Sequence, residues 1–288
     1  MTTNTPTRRI IVGVDPSANA ARAAEWAAQE AASRGGVPLH LVHGLNRPHG
    51  TSLVDPADSV KNVHEVAADL LARVAAGLRA RYPNLTVTTE VSELGGAEAL
   101  VGLSRQAALA VTGTRGHGGF VGMLLGSVSH KTAAHAHCPV VVIREEPSGT
   151  AREEIVLGIE ADQGPAPIRF AFESAARSGA AVTAVRAWLP ISAYGGYVTT
   201  PLPGTEQEQR ENVDQLLKAT REEFPQIRVT TRFVDGNAVP ALLDASNGAR
   251  MVVVGTTHHH GPLAIGAGYV VQGLLSHAHA PVAVVPID

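Results

Sequence analysis

A glycine-rich segment carries the strongest chemical signal in this chain. Gly113, Gly116, Gly126 and Ser127 follow the pattern G-x2-G-x9-G-S, directly after the apolar run 107–112. Glycine has no Cβ, so its backbone amides can approach an anion closely. A helix-like stretch begins near Ser127, and the start of a helix offers unpaired N–H groups and a partial positive charge. The pattern therefore predicts a phosphate-binding loop between a strand and a helix.

The side chains around these glycines limit the chemistry. Ser127 and Ser129 offer hydroxyl groups to phosphate oxygens, and Arg115 offers a positive charge. Ser127 is also predicted to cap the following helix, which favours a phosphate loop over a flexible surface loop. The segment contains no lysine, and the pattern G-x-x-x-x-G-K-[ST] is absent from the chain. Binding of a nucleotide is therefore expected rather than rapid phosphoryl transfer.

An acidic residue follows the first apolar run. Asp15 comes directly after residues 10–14 and precedes Pro16 and Ser17. Its carboxylate is suited to accept hydrogen bonds from a ribose or from an amino group on a base. The alternative is that Asp15 starts a turn or caps a helix beginning near Ser17, which is a common role for this residue type. A glycine loop in the same crevice favours the ligand interpretation.

The two halves of the chain repeat one pattern. With a shift of 142 residues, Gly113 aligns with Gly255, and near the N-terminus a shift of 145 residues aligns Asp15 with Glu160. Two copies predict two domains rather than a solenoid. The polar stretch 145–152 contains proline, serine and glycine, which are typical of a linker. We expect domain 1 to span residues 1–148 and domain 2 to span residues 149–288.

Short apolar runs alternate with helical segments in each half. Such alternation favours right-handed crossovers and a parallel sheet. The predicted fold class is α/β, with two tandem doubly wound domains, each a five-stranded parallel sheet with helices on both faces. Ligands of such domains bind at the carboxyl ends of strands, where Asp15 and Gly113 are both expected. In the first half the predicted strands are 9–15, 38–44, 85–91, 107–113 and 140–144, and the predicted helices are 17–33, 59–82, 97–105 and 127–137.

Composition narrows the class of protein. The net charge is -3 and the 23 basic residues are scattered, so nucleic-acid binding is not expected. No run of 18 apolar residues is present, so a membrane span is not expected either. The single cysteine, Cys138, excludes an internal disulfide and fits a reducing compartment. Residues 1–9 lack the apolar core of a signal peptide, and a cytoplasmic protein is therefore predicted.

The second copy of the glycine pattern departs from the first. Glu160 replaces the aspartate, His258 replaces the second glycine, and Tyr269 replaces the serine after the third glycine. A Cβ at His258 disfavours close backbone approach or a positive φ. These changes predict a degenerate pocket in domain 2, which is empty, binds another ligand or has only a structural role.

Histidines in the second half raise the alternative of a metal site. In His258-His259-His260, neighbouring side chains of an extended chain point in alternate directions, so at most two share one ion. A Zn²⁺ site needs three or four ligands, and solvated loop histidines are therefore favoured. A further set recurs in both halves and is predicted to bond helix carbonyls in the last turn of the fourth helix: His135, His137, His277 and His279.

The combined pattern resembles the ATP-binding universal stress proteins. Their signature G-x2-G-x9-G-[ST] is matched from Gly113 to Ser127, their strand-1 aspartate by Asp15, and their closing His-x-Pro-Val strand by residues 137–140. The resemblance covers nearly the whole chain. It implies a Rossmann-like fold of the adenine nucleotide alpha hydrolase type, in tandem, and a role in the stress response.

The resemblance also implies the ligands and the residues that contact them. Asp15 is expected to contact adenine or ribose, backbone groups near Val42 the base, and the glycine loop the phosphates of ATP. Mg²⁺ often accompanies the nucleotide in the family, although the sequence shows no carboxylate pair dedicated to it. The implied nucleotide-binding residues are Gly13, Asp15, Val42, Gly113, Thr114, Arg115, Gly116, His117, Gly118, Gly119, Gly126, Ser127, Val128 and Ser129.

Three functions are compatible with these features. The intact first motif favours a regulatory protein that holds ATP in domain 1 and signals by conformation or association. A slow ATPase or nucleotide-dependent transferase is disfavoured because no general base is recognisable beside the loop. An interaction protein with two vestigial pockets is disfavoured by the intact motif. A homodimer of tandem chains and an unidentified regulatory protein partner are expected, and the preference for ATP over AMP or a cyclic nucleotide stays open.

Overall fold

The chain folds into two α/β units. The computed structural model describes residues 8–45, 57–114, 126–144, 152–188, 205–257 and 268–287. The units comprise Met1–Glu145 and Glu146–Asp288, and are called domain 1 and domain 2 below. In the described parts of the chain, no helix is both long and apolar enough to cross a membrane.

Domain 1 is a parallel five-stranded sheet with the strand order β3-β2-β1-β4-β5. The order reverses between β1 and β4, so the carboxyl ends of these two strands flank the crevice in which doubly wound domains bind ligands. Helices α1 and α2 pack together on the sheet, and α3 packs with α4. The elements are β1 (Arg9–Gly13), α1 (Ala18–Ser33), β2 (Leu39–Gly44), α2 (Ala57–Arg81), β3 (Val87–Ser92), α3 (Gly96–Ser104), β4 (Ala107–Gly113), α4 (Ser127–His135) and β5 (Val140–Ile143).

Domain 2 repeats this arrangement. Its parallel strands follow the order β8-β7-β6-β9-β10, so the reversal lies between β6 and β9. The predicted fold class is confirmed. The elements are β6 (Arg152–Gly158), α5 (Pro165–Ser178), β7 (Ala181–Trp188), α6 (Glu206–Glu223), β8 (Val229–Asp235), α7 (Ala238–Ser246), β9 (Ala249–Thr257), α8 (Tyr269–His277) and β10 (Val282–Ile287).

Helix α1 shows how an alanine-rich sequence builds this core. Its buried stripe consists of alanines at helical spacing, which let the helix lie close to the sheet: Ala20, Ala23, Ala24, Ala27, Ala28 and Ala31. The Ser17 side chain accepts a hydrogen bond from the backbone N–H of Ala20 at 3.1 Å and so caps the helix. The chain leaves the helix through Gly35 and Gly36, which both have positive φ angles that glycine adopts without strain.

Element ends differ from the predictions by one or two residues, for local reasons. Strand β1 stops at Gly13 because the chain then turns into the cap of α1. Strand β3 begins at Val87 because the N–H of Leu85 donates to the carbonyl of Tyr82 and closes a turn. Helix α4 ends at His135 because Ala136 adopts an extended conformation.

A buried histidine makes the stability of domain 1 depend on pH. His40 in β2 is 5% exposed, with Nδ1 2.8 Å from the Thr88 hydroxyl and Nε2 3.0 Å from the Glu90 carboxylate. Burial lowers the pKa of His40 below 6.5, and the positive charge of Arg9 acts in the same direction, whereas Glu90 raises it. The folded state therefore favours the neutral imidazole.

We expect acidification to destabilise domain 1 through His40. As the pH falls below about 6.5, the unfolded chain binds a proton that the folded chain takes up only at lower pH, so the free energy of unfolding decreases. Urea titrations at about pH 7.5 and about pH 5.5 measure this loss. The loss should be smaller in His40→Gln. An equal loss in both proteins would contradict the assignment.

Candidate functional site

Asp15 lies two residues beyond β1, at the carboxyl edge of the domain 1 sheet. Its Oδ1 accepts a hydrogen bond from the backbone N–H of Ser17 at 2.9 Å and another from the Ser17 hydroxyl. Asp15 therefore supports the residue that caps α1, as the turn interpretation predicted. This role orients the carboxylate at the strand end and is compatible with ligand binding.

Gly113 ends β4 and touches the same helix start. A Cβ at this position would lie 2.7 Å from the carbonyl carbon of Asn19 and 2.8 Å from its Cβ. Glycine is therefore required here so that the first turn of α1 can pack on the end of β4. The turn that contains Ser17 and Asn19 therefore lies between Asp15 and the end of β4.

The glycine loop is closed at its base by two hydrogen bonds. The N–H of Gly126 donates to the carbonyl of Thr114 at 2.7 Å, and the Ser129 hydroxyl donates to the carbonyl of Gly113 at 2.5 Å. The N–H of Thr114 donates to the carbonyl of Ile143, which fixes the first end of the loop to β5. We call these contacts the loop neck. They hold the start of α4 beside the carboxyl end of β4.

The start of α4 differs in detail from the prediction. Gly126 is the N-cap and has no side-chain cap hydrogen bond, so Ser127 is the first helical residue and not the cap. Ser129 is 3% exposed, and its one hydroxyl hydrogen is used at the loop neck. Its hydroxyl is therefore not a donor for phosphate, contrary to the prediction. Ser127 and Val128 are exposed beside it.

Two other predicted residues have structural contacts. Gly13 ends β1, where a Cβ would lie 3.0 Å from Cδ1 of Leu100 in α3. Val42 is buried, and its carbonyl accepts a hydrogen bond from the N–H of Val14 at 2.8 Å. If a nucleobase also donated to this carbonyl, the Val42 oxygen would accept two hydrogen bonds, one from the base and one from the N–H of Val14. The remaining predicted residues lie outside the described part of the chain, and their roles stay predictions: Arg115, Gly116, His117, Gly118 and Gly119.

His43 is a candidate site residue that the sequence did not identify. It lies near the end of β2, and its Nδ1 is 2.7 Å from the carbonyl of Val14, the residue before Asp15. A carbonyl only accepts, so Nδ1 carries the hydrogen. The counterpart in domain 2 is Arg186, which donates to the carbonyl of Ile159. Both side chains donate to the carbonyl that precedes the acidic residue, and this shared contact identifies them as corresponding residues.

The corresponding crevice of domain 2 contains an ion pair. Arg186 is 8% exposed and donates to Glu160 at 3.4 Å, to the carbonyl of Ile159 at 3.2 Å and to the side-chain oxygen of Gln209 at 3.1 Å. Glu160 stands where domain 1 has Asp15. The loop neck is also altered, because Val271 replaces Ser129 and has no hydroxyl. These changes distinguish the two crevices.

The recurring histidines fall in two groups. His135 and His277 lie in the last turns of α4 and α8, and Nδ1 of His277 is 3.2 Å from the carbonyl of Gly273, as predicted. His137 and His279 lie beyond these helices, contrary to the prediction, and their backbone N–H groups donate to the hydroxyls of Ser104 and Ser246. Among the described residues, no group of three or more potential metal ligands is found. The segment His258-His259-His260 lies outside them.

Comparisons with known proteins agree with this architecture. The model of the universal stress protein family matches residues 6–144 and again residues 152–286. Universal stress proteins of Mycobacterium tuberculosis and Mycolicibacterium smegmatis are each 30% identical, and the alignments cover 96% of this chain and 95% and 96% of the respective relatives. A universal stress protein structure from Archaeoglobus fulgidus has a TM-score of 0.74 at 15% identity and covers 98% of this chain and 99% of its own. The chain therefore belongs to the universal stress protein family, with two family domains in tandem.

Proposed function

We propose that domain 1 binds ATP and that the protein acts as a stress-response regulator that signals through the conformation or association of its nucleotide-bound form. The observation that carries this proposal is the loop neck. It joins a glycine loop and a helix start to the strand end beside Asp15. A base or ribose and a phosphate chain can thus be bound at one edge of the sheet.

The polar groups of the crevice suit the two ends of ATP. The Asp15 carboxylate is a hydrogen-bond acceptor for an amino or ribose hydroxyl group, and His43 donates to the carbonyl of the preceding residue, Val14. At the other end, Gly126 caps α4 without a side-chain hydrogen bond, so the first-turn N–H groups are suited to phosphate oxygens. Arg115, in the loop sequence, would add a positive charge. When bound with the nucleotide, Mg²⁺ would neutralise part of the phosphate charge.

The same features favour holding the nucleotide over cleaving it. The loop sequence lacks the lysine that contacts the terminal phosphates in P-loop enzymes. The crevice is also coupled to α1, because Asp15 supports the Ser17 cap and Asn19 packs on Gly113. A ligand at Asp15 and Gly113 would therefore contact groups that position this helix. Ligand binding can thus change the position of α1.

We also propose a cytoplasmic location, a homodimer of tandem chains and a protein partner that recognises the nucleotide-bound form. The single cysteine, Cys138, fits a reducing compartment. We assign it no redox role, because its thiol is buried. Burial raises the pKa of its thiol to about 12, so the reactive thiolate is scarce at neutral pH.

Replacing Asp15 with asparagine tests the base end of the site. In Asp15→Asn the side-chain amide keeps an oxygen for the Ser17 hydrogen bonds but loses the charge. A hydrogen bond to a charged group contributes about 1.5–3 kcal/mol, so ATP binding should weaken by about tenfold or more. Calorimetric titration of the full chain measures the change. Glu160→Gln is the matched control in domain 2 and should leave ATP affinity unchanged. Equal effects of the two substitutions would contradict the assignment to domain 1.

A turnover assay separates a nucleotide holder from an ATPase. The purified protein is incubated with ATP and Mg²⁺, and ADP is measured over time. We expect bound ATP to persist with little ADP formed. Steady ADP release that is lost in Gly116→Val would replace the regulatory proposal with slow hydrolysis.

A further inference from the structure

A small apolar patch is exposed on domain 1, beside the first turns of α2. We define the apolar patch as Val63 and Val66 in α2 together with Leu94, which lies between β3 and α3. Their exposed fractions are 52%, 61% and 47%. In the described part of the chain, the other exposed large apolar side chains are those of Val128 and Tyr269. Single exposed apolar residues are common on protein surfaces, but a cluster of them points to an interaction surface.

The apolar face of α2 continues past the edge of the sheet. Val63 precedes Ala67 by four residues and therefore lies on the same side of the helix. His64 contacts Glu93, which directly follows the last residue of β3. The sheet thus ends at this level of the helix, and Val63 lies beyond it. The residues that α2 buries within the domain follow at helical spacing: Ala67, Leu71, Ala75 and Leu78.

The same contact joins the two parts of the apolar patch. Nε2 of His64 lies 2.6 Å from Oε1 of Glu93. In the sequence, His64 stands between Val63 and Val66, and Glu93 precedes Leu94. The turn of α2 that carries the two valines therefore adjoins the segment that carries the leucine.

Domain 2 lacks this apolar patch. The buried residues of α2 and α6 correspond at a shift of 142 residues, as Leu71 does with Val213. At that shift the two valines of the apolar patch correspond to Thr205 and Glu208, which form the capping box at the start of α6. The leucine corresponds to Gly236. The fold therefore does not require apolar side chains at these positions, which favours a role in recognition.

The charged groups that border the apolar patch are mostly acidic. Asp69 is exposed and lies one helical turn beyond Val66. The side chains of Glu93 and Glu98 are each 54% exposed, and Lys131 lies 3.5 Å from Glu98. In the described part of the chain, three carboxylates and one lysine thus border the patch. Exposed ion pairs contribute little to stability, so these carboxylates can exchange their contacts for basic groups of a partner.

The combination of apolar and acidic groups favours one class of occupant. A second copy that docked through the same patch would bring like carboxylates together, which disfavours a symmetric contact. Nucleic acid and anionic lipid would meet the same repulsion. A protein segment that carries lysine or arginine beside apolar residues complements both features. A short amphipathic helix presents apolar residues at i, i+3 and i+4 and so matches a patch of this kind.

We propose that the apolar patch of domain 1 binds a basic amphipathic helix of another protein. The helix buries its apolar face on Val63, Val66 and Leu94, and its lysine or arginine side chains pair with Glu93 and Glu98. Three apolar side chains offer a small contact area, so the complex is weak and reversible. This inference concerns the apolar patch alone and does not depend on ATP binding in domain 1.

Methyl NMR of the full chain locates the binding. The probe is a synthetic amphipathic peptide of leucine and lysine, about 14 residues or four helical turns long. One control peptide has glutamate in place of lysine, and the other is a scrambled sequence without an apolar face. We expect the leucine–lysine peptide to shift the methyl signals of the apolar patch in a saturable manner, with both controls at least about tenfold weaker. Signals of Val185 and Leu242 in domain 2 should not move.

Three results would overturn the proposal. The first is the absence of shifts in the apolar patch at millimolar leucine–lysine peptide. The second is an equal effect of the leucine–glutamate peptide, which would remove the role of charge. The third is a shift of the same signals with protein concentration alone, which would identify a second copy of this chain as the occupant.

Substitutions at exposed positions test the named contacts. The double variant Val66→Thr and Leu94→Ser removes apolar surface and should weaken peptide binding by about tenfold or more. Glu93→Gln with Glu98→Gln should weaken it by about threefold at low salt and reduce its dependence on salt. Tyr269→Ser is the matched control, because it removes an exposed apolar side chain of domain 2 and should leave peptide affinity unchanged. Unchanged affinity in either double variant would overturn the assigned contacts.

Discussion

Replacing Gly116 with valine is expected to weaken ATP binding by at least about a hundredfold. Gly116 is the second glycine of the loop signature, where the proposed site requires the backbone to approach phosphate closely. Hydrogen bonds to a charged group contribute about 1.5–3 kcal/mol each, so losing two of them costs more than the roughly 2.8 kcal/mol that corresponds to a hundredfold change. Calorimetric titration of the full chain with ATP measures the effect.

The matched control for Gly116→Val is His258→Val. His258 occupies the corresponding position of domain 2, where a Cβ is already present. We expect His258→Val to leave ATP affinity unchanged. If ATP binding survived Gly116→Val and were lost in His258→Val, the assignment of the two crevices would be reversed.

Replacing Gly113 with alanine is expected to destabilise domain 1 by about 1–3 kcal/mol, the usual cost of overpacking a core. The added Cβ would lie 2.7–2.8 Å from the backbone and Cβ of Asn19, and these atoms cannot move without shifting α1. Urea unfolding measures the loss. The chain has one tryptophan in each domain, Trp26 and Trp188, so Trp188→Phe leaves a fluorescence reporter for domain 1 alone.

Gly255→Ala is the matched substitution in domain 2 and should cost less. Its Cβ would meet mainly the side chain of Ile287, which lies near the C-terminus and can adopt another rotamer. The reporter here is Trp188 in a Trp26→Phe background. An equal loss in both domains would show that the Asn19 contact is not the cause.

The sequence predicted the fold well because the strands are short apolar runs that parallel sheets bury on both faces. Ala107–Gly113 was predicted to the residue. The duplication strengthened the prediction, since the same alternation occurs twice. Element ends were less accurate, because they depend on single contacts such as the turn between Tyr82 and Leu85.

The sequence predicted which candidate residues lie at strand ends, but not the contacts that these residues make within the domain. Asp15 and Gly113 could be assigned to one crevice because both follow strand ends. The sequence could not show that Gly113 makes room for Asn19, or that the Ser129 hydroxyl is used within the domain, because both contacts join residues far apart in the chain.

The correspondence between His43 of domain 1 and Arg186 of domain 2 was not predicted for a different reason. The two residues correspond at a shift of 143, which falls between the shifts of 145 at Asp15 and 142 at Gly113. An alignment without gaps does not pair them. Their shared hydrogen bond to the carbonyl before the acidic residue identifies them only in three dimensions.

We propose that domain 1 binds ATP, and the altered glycine pattern of domain 2 predicts that domain 2 does not. The most direct test is the stoichiometry of ATP binding to the purified full chain by calorimetric titration. We predict one ATP per chain, with this binding lost in Gly116→Val and retained in His258→Val. Two equivalent ATP molecules per chain, or no binding at millimolar ATP, would contradict the account.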